Sequence, residues 1–192
     1  MLSFFIPFIR PIKIIRFLSF FLFQYFIISC DDNNNNQNTN IIPEEIESSI
    51  VTQNGLLTVS GNKIVNKNND PVSFAGNSFF WSNDNWGGEK FYNSSTVKWL
   101  KTDWNSKIVR AAMGVEDPGG YLDNKQANKL RLKTIVEAAI EEGIYVIIDW
   151  HSHNAEDYLE EAKLFFQEMA QTYGESENVI YEIYNEPLNV SW

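Results

Sequence analysis

The sequence predicts an α/β chain built on a parallel sheet, and three observations carry that reading. Four short apolar runs, at residues 72–74, 108–109, 145–148 and 179–184, begin 36, 37 and 34 residues apart. Helical patterns lie between them, and polar residues follow the last three. Strand, helix, strand at a steady interval is the mark of βαβ units, because parallel strands need a long crossover that a helix supplies.

Taken in order, the chain begins with a segment unlike the rest. Arg10, Lys13 and Arg16 precede residues 17–29, which are apolar apart from Ser19, Gln24 and Ser29. Basic, then apolar, then small is the layout of a secretory signal. The run falls short of the roughly 20 apolar residues of a membrane span, and a retained anchor is the alternative. Cys30, the single cysteine, follows directly. Ile27-Ile28-Ser29-Cys30 resembles a bacterial lipoprotein cleavage box, which implies lipidation of Cys30 and a tether to a membrane surface, in an exported or secreted protein. One cysteine allows no disulfide within the chain.

Residues 30–50 read as a linker. Positions 31–40 hold only Asp, Asn, Gln and Thr, which bury no apolar surface. Ordered structure is expected from about residue 51. Residues 56–59 and 63–65 flank Ser60-Gly61 and predict a hairpin. The helices follow. Residues 95–103 carry Val97, Trp99 and Leu100, with Trp99 and the following Trp104 assigned to the core. In 124–142, Leu132, Ile135, Val136, Ala139 and Ile140 share one face, with Asp123 or Asn124 as cap and Gly143 as stop. In 155–173 the expected face is Leu159, Ala162, Phe166, Met169, Ala170 and Tyr173, between Asn154 as cap and Gly174 as stop.

Two architectures fit such units. A doubly wound sheet announces itself with a Gly-rich phosphate loop after its first strand. Here that loop is "GNSFFWSNDNWGGEKFYN", rich in aromatic residues. A (β/α)8 barrel places its site on the loops after the strands, and this is the favoured reading. Eight such units need about 288 residues, so residues 51–192 are read as the first four units, the N-terminal half of the domain. The formal net charge is −10, and loss of residues 1–29 would make it −13. With no basic patch, nucleic acid is not an expected partner.

Functional residue types recur at the strand exits: Arg110 after the second strand, Asp149-Trp150-His151-Ser152-His153 after the third, and Asn185-Glu186 after the fourth. His151 and His153, the only two histidines, also have a metal-ligand spacing. That leaves a metal-dependent hydrolase as one alternative and a non-catalytic glycan-binding surface lipoprotein as another. Trp81 and Trp86, in the first loop, offer flat rings on which a pyranose can stack.

"GNKIVNKNNDPVSFAGNS", "IVRAAM", "YVIIDWH" and "VIYEIYNEP" together resemble glycoside hydrolase family 5, particularly its cellulases, from about residue 56 to 187. The chain departs from that pattern in having Gly76-Asn77-Ser78 in place of Gly-Met-Ser, and Phe80 near a position where some members carry histidine. The resemblance implies a retaining glycosidase that acts on β-1,4-glucan with no cofactor. It implies Glu186 as general acid/base, Asn185 on the sugar 2-hydroxyl, His151 as a substrate contact, Asp149 in a structural role, and Arg110 beside the nucleophile. That nucleophile is expected to be a Glu three units further on, beyond residue 192. Glycoside cleavage needs this pair: an acid to protonate the leaving oxygen and a carboxylate on the opposite face of the bond.

Overall fold

A computed structural model of the protein describes residues 48–189. The expected signal segment, Cys30 and linker residues 30–47 lie outside the described residues. No helix among the described residues is long and apolar enough to cross a membrane.

A short helix, α1 (Ile50–Asn54), comes first, where the sequence reading expected order but no helix. Ser49 caps it, its Oγ accepting from the Thr52 N–H at 3.0 Å. The predicted hairpin follows as β1 (Thr58–Ser60) and β2 (Lys63–Val65), antiparallel, with Thr58 opposite Val65. Gly61 at φ 61° takes the left-handed turn.

The first parallel strand is a correction. Residues 72–74 do not form it. Val72 donates its N–H to Ile64 O and Pro71 bridges Val65, so this stretch extends the hairpin. The strand is β3 (Gly76–Ser78), paired parallel with β4 (Ile108–Gly114). A Cβ on Gly76 would lie 1.8 Å from Ile108 O, so only glycine lets these two backbones approach. Glycine is a weak strand former, which hid β3 from a reading by hydrophobicity.

β5 (Tyr145–His151) and β6 (Val179–Glu182) complete a four-stranded parallel sheet in the order β3-β4-β5-β6. These strands and their crossovers form an arc of a (β/α)8 barrel. One face of the arc is apolar: Val109, Ala111 and Met113 of β4, and Val146, Ile148 and Trp150 of β5, are buried against helices. The other face carries Arg110, Asp149, His151 and Glu182, toward the barrel axis.

Three helices cover the apolar face. α2 (Ser94–Asp103) starts at Asn93, whose Oδ1 accepts from the Thr96 N–H, and buries Val97 and Leu100. Trp99 and Trp104 are not core. They are 49% and 61% exposed and lie against each other, with ring centroids 5.6 Å apart. Trp99 falls off the i, i+3 line of Val97 and Leu100 that meets the sheet, and Trp104 lies past the end of α2 as its C-cap. α3 (Lys125–Glu141) buries Leu132, Ile135, Val136 and Ala139, with Asn124 as cap and Gly143, at φ 67°, just past its end. Before α4 (Leu159–Tyr173) the chain makes a 3-10 turn over Ala155–Tyr158. Asn154, expected to cap the helix, precedes this turn instead and makes no side-chain capping bond, so α4 starts four residues later than expected. The buried residues are Phe165, Met169 and Tyr173, while Leu159 and Ala170, expected inside, are exposed.

Candidate active site

Parallel strands end at one edge, so the segments after β3, β4, β5 and β6 gather at the same rim. Arg110 does not end its strand, as the sequence suggested. β4 continues four residues past it to Gly114, and Arg110 reaches its partners from within the strand. Its Nε donates to Glu182 Oε2 at 2.7 Å, and Nη2 donates to Glu182 Oε1 at 2.8 Å. The same Nη2 lies 2.9 Å from Asp149 Oδ2 and 2.8 Å from Asn185 Oδ1. One planar guanidinium thus joins three strands, a task suited to its fixed fork of donors.

Asp149 is fully buried, and its Oδ2 also meets His151 Nδ1 at 2.6 Å. Burial pushes the Asp149 carboxyl above its ordinary range, against the pull of His151 and Arg110. That one oxygen receives the guanidinium as well, so it acts as an acceptor toward the ring. His151 therefore carries a hydrogen on Nδ1.

Asn185 is buried and Glu186, next to it, is not: the Glu186 side chain is 77% exposed. The Asn185 Nδ2 is buried with no hydrogen-bond partner among the described residues. His153 sits beside Glu186, with Nδ1 3.4 Å from its backbone O and 3.6 Å from Oε2. The two histidines lie near each other against Trp81. Their ring centroids are 6.5 Å apart with planes at 65°, and His151 Nδ1 is committed to Asp149. No group of three or more metal-ligating side chains occurs among the described residues.

The loop after β3 brings its tryptophans to this rim. Trp81 lies edge-on to His151 at 4.3 Å. Trp86 stacks on Trp81 at 5.3 Å with planes only 19° apart, and remains 40% exposed. Trp81 therefore backs both His151 and Trp86, and Trp86 is the more open ring.

Two residues near the site escaped the sequence reading. Glu182 is the largest partner of Arg110, yet only Arg110 was singled out. Its signal was a charge inside the apolar run "VIYEIY", in the phase of the inward face. Glu116 is the second. Its Oε1 accepts from the His153 N–H at 3.2 Å and from Asn154 Nδ2 at 3.4 Å, tying the β4 loop to the β5 loop. No local pattern marks such a cross-loop contact.

Comparison with known proteins follows the same lines. A family model described as cellulase (glycosyl hydrolase family 5) matches residues 65–192. Endoglucanase Z of Dickeya dadantii is 60% identical over 136 residues, covering 71% of this chain and 32% of that protein. An endoglucanase of Clostridium saccharobutylicum is 40% identical over 144 residues, covering 73% of this chain and 31% of its own length. Among solved structures, a Cytophaga hutchinsonii protein is 50% identical with a TM-score of 0.71, over 76% of this chain and 46% of its own. The catalytic domain of Thermobifida fusca endoglucanase Cel5A is 32% identical with a TM-score of 0.70, over 76% of this chain and 47% of its own. The chain thus spans about a third of these curated relatives and just under half of these solved domains.

Proposed function

The chain belongs to glycosyl hydrolase family 5, the cellulase family, and we propose that the whole protein hydrolyses β-1,4-glucan with retention of configuration, Glu186 acting as general acid/base. The observation that carries the reading is the grouping at one rim of Asn185-Glu186, the Arg110–Glu182–Asp149–His151 network, and the Trp81–Trp86 stack.

Each part has a chemical task. Glu186 is open to a substrate at the lip of β6 and gives its proton to the leaving glycosidic oxygen. Arg110 holds Asn185 by its Oδ1, so the amide enters the cleft with a fixed orientation and its Nδ2 as donor. A hydrogen bond from that donor to the sugar 2-hydroxyl strengthens as positive charge grows on the ring. His151, with its Nδ1 held by Asp149, offers Nε2 to the substrate. The exposed Trp86 ring stacks on a pyranose, burying apolar C–H surface. The partner carboxylate is assigned to a Glu of a later barrel unit, about 5–5.5 Å from Glu186 in the folded domain. Related proteins support the substrate class: a variant of the Thermobifida fusca enzyme was solved with cellotetraose.

Export and anchoring belong to the same reading. Cys30, after the segment rich in Phe and Ile, is proposed to carry lipid and to hold the protein at a membrane surface beside polymeric substrate. Hydrolysis of a soluble β-1,4-glucan, followed by NMR of the first-formed anomer, tests the activity. β-Anomer first supports retention, and α-anomer first refutes it. Cys30→Ser is expected to move the protein from the membrane fraction to the soluble one.

A further inference from the structure

The loop carrying Trp81 and Trp86 is long, but nearly every residue on its way to them is held. Phe79 N–H bonds Arg110 O, and Ser82 N–H bonds Ala112 O. Tyr92, buried, sets its hydroxyl 2.9 Å from Phe80 O and 2.7 Å from Ala112 O. Ser82 Oγ donates to Asn128 Oδ1 at 2.6 Å, and Asn83 Nδ2 donates to the carbonyls of Asp117 and Pro118. Asn83 fits over Gly114, where a Cβ would lie 1.8 Å from its Oδ1. At Asn85 the backbone enters the left-handed region, φ 66°, and this reversal turns Trp86 back over Trp81.

The last holds before that reversal fall on Ser82 and Asp84: the Asp84 N–H donates to Gly119 O at 2.9 Å, and side chains at the start of α3 and within it add the rest. Arg131 donates from Nη1 to Ser82 O at 2.9 Å and from Nη2 to Asp84 Oδ1 at 2.5 Å. The other oxygen of Asp84 accepts from Asn124 Nδ2 at 3.1 Å. The guanidinium spans Ser82 and Asp84, the residues either side of Asn83, and so fixes the direction in which the chain enters the Asn85 turn. Arg131 sits on the helix behind the loop and appears in none of the contacts around Glu186.

We propose that Arg131 is a positioning residue for glycan binding: its bridge to Ser82 and Asp84 holds the Trp81–Trp86 stack in register with the cleft. The proposal rests on the β-glucanase reading for the ligand, and on the geometry of the loop alone for the mechanism. Its energy source is the loss of entropy already taken when the loop is ordered before substrate arrives. Without the bridge, the Asp84 N–H bond to Gly119 O and the Asn124 bond are left to hold the turn, so part of the ordering of Trp86 falls at the moment of binding, which weakens affinity without touching the chemistry at Glu186.

The test uses the full-length protein with Arg131→Ala, Arg131→Lys and Asp84→Asn, each checked for cooperative unfolding, and cellotetraose as probe. One readout is the circular-dichroism couplet of the stacked indoles, assigned by its loss in Trp86→Phe so that the separate Trp99–Trp104 pair is subtracted. The other is the split between KM and kcat. Arg131→Ala is expected to weaken the couplet and raise KM by about three- to tenfold, the worth of one aromatic contact. It should leave kcat within about twofold, since uniform binding alone is lost. Arg131→Lys should recover part of both, and Asp84→Asn should show the same pattern more weakly. A couplet unchanged in Arg131→Ala overturns the proposal. So does a weakened couplet with unchanged KM, or a fall in kcat at unchanged KM. If the wild type neither binds nor cleaves cellotetraose, the glucanase reading fails and the ligand named here fails with it, while the couplet separately reports whether Arg131 holds the loop.

Discussion

Replacing Asp149 by Asn removes a charge and almost no volume, which makes it a sharp probe of the network under the rim. Asp149 Oδ2 receives both His151 Nδ1, at 2.6 Å, and Arg110 Nη2, at 2.9 Å. The His151 hydrogen bond to this charged group contributes about 1.5–3 kcal/mol, and the Arg110 contact adds an ion pair. Against their loss stands the relief of no longer burying a carboxylate, a cost visible in the raised pKa of Asp149. Arg110 keeps Glu182, so the guanidinium is not left bare. The expected net loss is about 2–4 kcal/mol of stability. A second effect is local. Both contacts fall on Oδ2, while Oδ1 is buried with no hydrogen-bond partner among the described residues. The Asn oxygen therefore keeps the Oδ2 place and His151 keeps its hydrogen on Nδ1, while the NH2 takes the Oδ1 place as a buried donor with no acceptor. Urea unfolding of the full-length protein measures the stability loss, and 15N chemical shifts of the imidazole read the tautomer. A stability loss under about 0.5 kcal/mol, or a ring hydrogen moved to Nε2, would refute the reasoning.

Gly114→Ala drives a Cβ into Asn83 Oδ1 and to 3.0 Å from the Trp81 ring. It should cost about 1–3 kcal/mol and raise the KM for β-glucan, and unchanged thermal unfolding would count against the tight seat of the loop. Asp84 provides a pH test. The Arg131 hydrogen bond first, then that of Asn124, holds its carboxyl below the ordinary range. A depressed folded value stabilises above the unfolded pKa, about 3.9, and that stability is lost as pH falls through the folded value. The stability gap between wild type and Asp84→Asn should therefore be full at neutral pH and shrink below about pH 4; a constant gap across acid unfolding curves would contradict it. Trp150→Ala opens a cavity at a fully buried ring packed on Tyr121, Phe165 and Phe166. Calorimetry should register a loss of about 3–5 kcal/mol.

The parallel sheet was legible because apolar runs at steady spacing survive any local variation. The spacing put Asp149, His151 and Glu186 at one rim before any coordinate was known. What failed did so for physical reasons. β3 is built from Gly76, Asn77 and Ser78, chosen for close backbone approach to β4 rather than for burial. The start of α4 was misplaced because a 3-10 turn over Ala155–Tyr158 precedes it, while Met169 and Tyr173 of the expected face lie inside. Trp99 and Trp104 are hydrophobic but exposed, Trp99 because α2 turns it outward and Trp104 because it lies past the end of that helix. The pairing of Arg110 with Glu182 spans 72 residues, and the Arg131 bridge to Asp84 spans 47. Contacts that long leave no periodic trace, so a sequence reveals the members of a network more readily than its wiring.

Glu186, exposed beyond β6, is proposed as the acid that protonates the leaving group. The measurement that tests it most directly compares Glu186→Gln with wild type, in the full-length protein, on two substrates: a cello-oligosaccharide, whose leaving group is a sugar, and an aryl cellobioside with a strongly acidic phenol. The sugar needs the proton to depart, and its cleavage should slow by about 10²–10⁴-fold. The phenol leaves as its anion, and its release in the first turnover should fall far less. Equal losses on the two substrates would contradict the role assigned to Glu186.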